Sequence, residues 1–435
     1  MLTRKNKDSK MNCLIPRYSL IALLALLSVS CSAAKTSRKG FSEPMALSSR
    51  ESIEVYYDIL QDMLDDRVDI KEGTICITRG YYKPFDGGGA IYLICKSKPS
   101  GHSEKLKNNY YAKLVDDIHN VRCYGATEGL DCSTSIQKAI NNNKGGYVVF
   151  PEGRFVLKNP VKVKSCSITM TGKGDATVIS VETGGSAFEI SNLSTQRLTV
   201  KDICFEGKGK GIALQLGKEA FCLNTLIEHC VFRELGTAIS LNKEVDNLTV
   251  RDCYFLMNVN GVCCDDISTN KSAVRIQGNH FQMQKSGGVS VYLEIGSTVN
   301  ITDNLFQAAQ RENITFMKLY DMNQVVVDNN YLEISDSKDA SQNYGIDVNN
   351  LNGAKISHTR AQGHMKAVVR VLNSYSTEID PIVYSPLGYK IPSLIENKAG
   401  QKRKNVILNV SSETVQSSKS AFKYIDNMDG VVYGR

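Results

Sequence analysis

The sequence contains no tryptophan and no basic run interleaved with aromatic residues, which leaves nucleic-acid binding without its stacking and phosphate-contacting surface. Only nine prolines occur, and no low-complexity tract, so a disordered chain is excluded. There is no CxxC pair and no Cys/His set at ligand spacing, which removes the usual signatures of a zinc site. After the first 31 residues no apolar run is long enough to cross a bilayer as a helix. Charge of one sign is also scarce. The net charge of +7 is spread along the chain, a weak pointer to an acidic partner and equally the mark of an ordinary solvated surface.

What is present is globular: 42% hydrophobic and 22% charged residues over 435 positions, ample material for a core. Arg4, Lys5, Lys7, Lys10 and Arg17 precede an apolar stretch, Leu20 to Val29, too short to span a membrane. With Leu27-Ser-Val-Ser-Cys31-Ser after it, this segment resembles a bacterial lipoprotein signal, with Cys31 as the lipidated residue. An ordinary secretory signal is the alternative, because Ser28 stands where that pattern has an aliphatic residue. Residues 32–50 then read as a polar tether. Eleven further cysteines lie between Cys76 and Cys264. Several fall on apolar strand positions and read as small buried hydrophobes, with disulfides as the other reading for an exported chain.

From residue 200 the chain repeats itself. LTVKDICF, TLIEHCVF, LTVRDCYF, VRIQGNHF, VNITDNLF, VVVDNNYL and AKISHTRA end at Phe205, Phe232, Phe255, Phe281, Phe306, Leu332 and Ala361, separated by 27, 23, 26, 25, 26 and 29 residues. Each segment alternates apolar and polar residues and then changes phase at a polar corner. Two places before each end stand Ile203, Cys230, Cys253, Asn279, Asn304, Asn330 and Thr359. Stacked at the strand spacing of about 4.8 Å, these predict an internal ladder in which the asparagines hydrogen-bond up and down. One turn cannot bury its own apolar face, whereas stacked turns can. A β-sandwich with similarly spaced strands is the competing reading.

The stretch CYGA…DCSTSIQKAI…GGYVVFPEGRFVL, within residues 119–157, resembles the entry motif of the pectate-lyase superfamily of right-handed parallel β-helix proteins. Asp131, Ser133 and Thr134 are the candidate N-caps. Ile136, Ala139 and Ile140 form the apolar stripe of a lone helix, Gly145 and Gly146 end it, and Thr171-Gly-Lys-Gly174 matches the family's G-x-G corner. The resemblance covers roughly residues 119–395 and implies an all-β fold, a single right-handed parallel β-helix, with this helix plugging its open end. Upstream, Glu51 to Asp66 reads as a helix. The segment Gly80-Tyr-Tyr…Asp86-Gly-Gly-Gly-Ala90 is similar to the one preceding the β-helix in tailspike-like and rhamnogalacturonase/epimerase-like proteins. Its glycines are expected to serve a tight turn with positive φ. The organisation expected is therefore a signal over 1–31, the tether over 32–50, a small α/β N-terminal cap over 51–118, the β-helix over 119–395, and a last rung or C-terminal cap over 396–435.

This architecture hosts hydrolases, lyases, epimerases and non-catalytic modules. The NTD, DD, HG and RxK motifs of its polygalacturonan hydrolases are absent as a set, as are the Arg-centred motif and calcium-binding aspartates of pectate lyases. Asn343-Tyr-Gly-Ile-Asp-Val-Asn349 resembles the YGxDPH motif of mannuronan epimerases at Tyr344, Gly345 and Asp347, but Val348 and Asn349 replace Pro-His. A candidate column still emerges from the second strand of each repeat. With Val262, Val289, Ile346 and Val369 inward, alternation turns Asp265, Tyr292, Glu294, Asp347, Asn349 and Arg370 outward. Lys318 and Tyr320 join them if their strand slips by one residue. Asp347, Asp265 and Glu294 are then candidate acid/base carboxylates. Arg370 and Lys318 suit a uronate or sulfate; Tyr292, Tyr320 and Tyr344 suit sugar rings, and Asn349 a hydroxyl. An ordinary solvated face is the plain alternative. The extra length from Asp336 to Asn343 is expected to wall a cleft, and His229, His280, His358 and His364 read as surface residues.

Two functions of different class follow. One is an exported enzyme, a glycoside hydrolase or polysaccharide lyase acting on an acidic polysaccharide. The other is a non-catalytic β-helix lipoprotein that binds glycan or a protein partner at the cell surface or on the periplasmic face of the outer membrane. No cofactor is implied, and calcium stays open because no motif points to it. The membrane is reached only through the lipid at Cys31. A homotrimer, as in tailspike relatives, is compatible with the resemblance.

Overall fold

A computed structural model describes residues 54–385, apart from 67–69, 116–117, 144, 165–166, 194–195, 283–284, 340 and 375, together with the strands Ser393–Lys398, Val406–Leu408, Lys423–Asp426 and Val431–Tyr433. The signal, Cys31, the tether, Cys166 and most of residues 396–435 lie outside these.

From Ile118 onward the strands join one 29-stranded sheet in which each strand pairs in parallel with its equivalent one turn later. Thr249, Val250 and Arg251 pair with Arg275, Ile276 and Gln277, and these pair with Asn300, Ile301 and Thr302. The solenoid reading therefore holds and the sandwich does not. Register superposes Phe205, Phe232, Phe255, Phe281 and Phe306. Their rings stack with centroids 5.2, 5.0, 4.3 and 4.8 Å apart, so each turn's aromatic fills the gap above the last.

The asparagine ladder forms as expected. Asn304 Nδ2 donates to Ile276 O (2.9 Å) and to Asn330 Oδ1 (3.0 Å), while its Oδ1 accepts from the main chain and the side chain of Asn279 (2.9 and 3.0 Å). All three asparagines are buried, where such bonds are fully satisfied and shielded from water. The residue just before each ladder position carries a positive φ: Asp202, His229, Asp252, Gly278, Asp303, Asn329 and His358, between 46° and 66°. Asp, Asn, His and Gly tolerate that conformation best. The polar corner is thus a left-handed residue that turns the chain before the ladder residue points inward. His229 and His358 sit there for their backbone.

The entry helix, Ser133–Asn142, buries Ile136, Ala139 and Ile140. Asp131 supplies the cap, accepting from Ser133 N (3.0 Å), and also ties the helix to the next turn through Asn159 Nδ2 (3.1 Å). Upstream, the expected helix over Glu51–Asp66 is corrected. Glu54–Tyr57 is a strand and only Leu60–Asp65 is helical. Val55, Tyr56 and Tyr57, β-branched and aromatic, pair with Cys76, Ile77 and Thr78. These strands belong to a five-stranded sheet with Ile91–Cys95, Tyr111–Leu114 and Ser103–Lys105. The glycine run is only partly a matter of positive φ, which occurs at Gly87. At Gly88 and Gly89 a Cβ would lie 2.6 and 2.8 Å from the Arg122 and Arg79 carbonyl oxygens, so close backbone approach demands glycine there. The ten described cysteines are free thiols, nine of them buried.

Candidate functional site

The second strand of each turn breaks simple alternation. Phe316 and Met317 both enter the core, as do Val368 and Val369, so two consecutive residues point inward before the outward positions resume. This kink corrects the assumed register. Val262 pairs with Val291, and Val289 pairs instead with Asn260 and Thr315. It also delivers, without any slip peculiar to one strand, the outward position of Lys318. One column runs Ser240, Cys263, Tyr292, Lys318, Asp347 and Arg370. A second, two residues on, runs Glu294, Tyr320 and Asn349. Because of the kink, Tyr344 shares the outer face with Asp347 three residues later.

These side chains meet. Arg370 Nε donates to Asp347 Oδ1 (2.7 Å), and its Nη2 donates to Oδ2. Tyr320 donates its hydroxyl to the same Oδ2 at 2.6 Å. The Arg370 guanidinium lies 4.0 Å from the Tyr344 ring centroid, a cation–π contact. Tyr292 donates to the Glu294 carboxylate and meets Tyr320 edge-on, with centroids 5.9 Å apart. Burial, then the bond to Asp347, raises the Tyr320 hydroxyl above its ordinary pKa; burial, then Glu294, does the same for Tyr292. Both phenols are held neutral. The bond to Asp347 likewise raises Arg370 and fixes its charge. Asp347 is fully buried beneath these partners.

Two candidates stand apart. Asp265 is exposed and accepts a hydrogen bond from Ser240; Asn349 accepts from Asn373 at 3.2 Å. Lys318 is half-buried between Tyr292 and Asp347 in the column, yet it makes no hydrogen bond or ion pair among the described residues. Sequence reading missed Ser240, whose signal was its place in the same column. It also missed Lys271, a fully buried lysine whose Nζ donates to Asp266 O, Thr269 O and Thr269 Oγ1 at 2.7, 2.7 and 2.8 Å. Burial lowers its pKa. It holds the Asp266–Asn270 loop beside the column, and nothing in its local pattern distinguished it from a surface lysine. The long insertion does wall a cleft: Asp336 and Lys338, with Ser286, Gln310 and Glu312, line a space of about 510 Å³ at the corners leading into these strands.

Chemically, each of the three candidate carboxylates accepts a hydrogen bond from a neighbour, and Asp347 has both oxygens engaged. No group of three or more His, Cys, Asp or Glu side chains is placed to hold a metal among the described residues. Toward solvent the columns present parts of Tyr292, Glu294, Tyr320 and Arg370, with the Lys318 ammonium unpaired among the described residues.

Comparison with known proteins adds to the fold. The sequence profile of the family described as "Periplasmic copper-binding protein (NosD)" matches residues 148–344. No curated protein sequence matches. Among solved structures, the tailspike protein of Acinetobacter baumannii phage AM24 is similar at 13% identity and a TM-score of 0.55, over 83% of this chain and 62% of that one. Geobacillus virus E2 ORF18 is similar at 14% identity and a TM-score of 0.53, over 82% and 75%. The tailspike protein of Acinetobacter phage vB_ApiP_P1 is similar at 13% identity and a TM-score of 0.51, over 87% and 69%. The chain spans less than two thirds of the first of these. With in-register parallel turns, a stacked aromatic column and an asparagine ladder, the chain has the right-handed parallel β-helix of the pectate-lyase-like fold.

Proposed function

We propose that this chain is an exported carbohydrate-active protein that binds an acidic polysaccharide on the outer face around Tyr292, Lys318, Tyr320 and Arg370. The observation that carries this is Lys318. A half-buried ammonium with no partner among the described residues, set between Tyr292 and Asp347 with Tyr320 two residues on along its strand, is a charge that a uronate or sulfate would pair with. The tyrosines offer flanks for sugar rings. Export is supported by the signal-like N-terminus and by the periplasmic family whose profile matches residues 148–344.

Binding fits the site better than hydrolysis. Glycoside hydrolysis needs two carboxylates flanking a bond, one to give and one to take a proton, and here Asp347 is sealed under Arg370 and Tyr320. One catalytic reading has specific support, β-elimination, because the Lys318 ammonium is placed to pair with a uronate carboxylate and so ease loss of the neighbouring C5 proton. In that reaction a base takes the proton at C5, the C4–O bond breaks as a C4=C5 double bond forms, and the leaving oxygen takes a proton.

The test is affinity electrophoresis of the chain from Ser32 in gels containing polyuronates, sulfated glycans or neutral glucans. Reducing ends and ultraviolet absorbance of a new double bond are followed alongside. Retardation by acidic glycans alone, weakened by salt and about tenfold by Lys318→Ala, is the expected result. Added double-bond absorbance selects the lyase. Reducing ends without it overturn the reading in favour of a hydrolase, and no retardation with no product overturns it altogether.

A further inference from the structure

Between Leu223 and Ile382 only two large apolar side chains are exposed among the described residues, Ile267 at 50% and Ile295 at 37%. They stand on adjacent turns at one corner. Cys263 pairs with Tyr292, and Lys271 with Gly296. The loop 266–270 of one turn therefore takes the place that Ile295 alone takes in the next. Ile295 directly follows Glu294, so this corner borders the face that carries Tyr292, Glu294 and Tyr320. A lone exposed isoleucine needs no account. Two at one corner, beside the candidate site and almost nowhere else on the solenoid's later turns, call for one.

Each is held there at a cost. Ile295 has a φ of 55°, in the left-handed region where a β-branched side chain is most crowded. Glu294 pairs with Tyr320, Tyr320 with Asn349, and Asn349 with Leu372. The corner residues of the next three turns are therefore Asp321, Asn350 and Asn373, with φ of 53°, 53° and 47°. These are types that accept the conformation readily, and Asn350 donates its amide to Asp321. Folding alone would place Asn or Asp at 295 too, and strain kept beside a site points to use. Ile267 sits in a turn closed by Ser268 N on Asp266 Oδ1 at 2.9 Å. The buried Lys271 ammonium holds that loop through Asp266 O and Thr269 O, and burying a charge is expensive even when it is bonded. Two unrelated devices on adjacent turns thus end alike, in a branched aliphatic side chain set toward solvent.

A branched aliphatic side chain has no flat face for a sugar ring, which the tyrosines supply, and no polar atom for a hydroxyl. It can shield another aliphatic group from water. We propose that the polysaccharide carries a methyl-bearing substituent, an O-acyl ester or the methyl of a 6-deoxy sugar, that rests on Ile295 and Ile267 beside the acidic group paired with Lys318. This inference rests on the polysaccharide reading and makes the two isoleucines specificity determinants of that site.

The experiment is affinity electrophoresis and calorimetry of the full chain with three polymers: an O-acetylated polyuronate, the same polymer after mild alkaline deacetylation, and an acidic polysaccharide containing 6-deoxy sugars. It is repeated on Ile295→Asn, Ile267→Ser and Lys318→Ala, with a urea midpoint for each. One methyl-bearing polymer is expected to bind about tenfold tighter than the deacetylated one, the low end for a methyl group in an apolar contact, and which one it is names the substituent. Ile295→Asn should abolish that preference and raise the urea midpoint, because asparagine accepts the left-handed corner. Ile267→Ser should reduce the preference. Lys318→Ala should weaken binding of all three polymers and keep the preference. Equal binding of the three by the native chain overturns this inference and leaves the polysaccharide reading standing, whereas binding of none overturns both. A preference that survives in Ile295→Asn also overturns it, as does a lower midpoint in that variant, which would assign the isoleucine to packing.

Discussion

Arg370 holds Asp347 of the preceding turn through both carboxylate oxygens, and the Asp347 side chain has no solvent exposure while Arg370 keeps 21%. The pair is therefore an outward-facing ion pair that is nonetheless dry on its acidic side. Tyr320 adds a third bond and Tyr344 lies under the guanidinium. A carboxylate so placed orients its neighbours. It fixes the Arg370 guanidinium beside the Tyr344 ring and anchors the Tyr320 hydroxyl.

Removing one partner exposes that role. Arg370→Ala leaves a buried carboxylate with only the Tyr320 hydroxyl, and breaking a buried pair costs about 3–5 kcal/mol. Replacing both partners, as Arg370→Met with Asp347→Leu, is expected to cost less than the single change, since no charge is stranded. Urea unfolding and hydrogen exchange of the strand Tyr344–Asn349 read both. A loss below about 1 kcal/mol in Arg370→Ala would show that the pair is solvated and unimportant to the turn.

The ladder gives a second contrast. Asn304→Ala deprives the Asn279 main chain of its acceptor, the Asn279 amide of one of two and Ile276 O of its side-chain donor, and leaves Asn330 Oδ1 with the main-chain N–H of residue 304 alone, a loss expected at about 3 kcal/mol. Cys253→Asn should cost under about 1 kcal/mol. The Cys253 N–H already donates to Asn279 Oδ1 at 3.0 Å, so an asparagine there continues an existing column. Equal losses in the two variants would mean that the slot selects volume and not hydrogen bonding.

The contrast also shows what could be read in advance. Spacing and residue type sufficed for the ladder, the phenylalanine column and the entry helix, because one side-chain period repeats at one chain interval. The strand carrying Lys318 and Tyr320 resisted, because two inward residues in succession, Phe316 and Met317, are invisible to a period-two rule. Outward was also taken to mean solvated. For Asp347 it does not, since Tyr320 and Arg370 close over it from adjacent turns, and contact between turns is not written in any local pattern. The upstream strand Glu54–Tyr57 was missed although Val55, Tyr56 and Tyr57 favour a strand, because four residues running into the helix Leu60–Asp65 read as its first turn and their partner begins only at Ile75.

Acid stability should turn on Glu206. Arg154 Nη1 reaches it at 2.5 Å, and Arg233 Nε on the next turn at 2.6 Å. The Arg154 bond, with Arg233 adding to it against the cost of burial, holds the Glu206 carboxyl below its ordinary value of 4.5. A folded-state pKa depressed below the unfolded one contributes stability that is complete above the unfolded value, and that stability is lost as pH falls through the folded one. Glu206 therefore stabilises the solenoid's early turns at neutral pH and ceases to do so in acid below about pH 4.5. Glu206→Gln should lower the unfolding midpoint at pH 7 and flatten its decline below that pH, because glutamine does not titrate. The measurement is the urea midpoint from pH 7 down to pH 3 for both proteins. Parallel curves would mean that Arg154 and Arg233 are indifferent to the charge they surround, and the acid limb would then belong to other carboxylates, with Asp131 at the helix cap, also lowered by its hydrogen bonds, the next to replace.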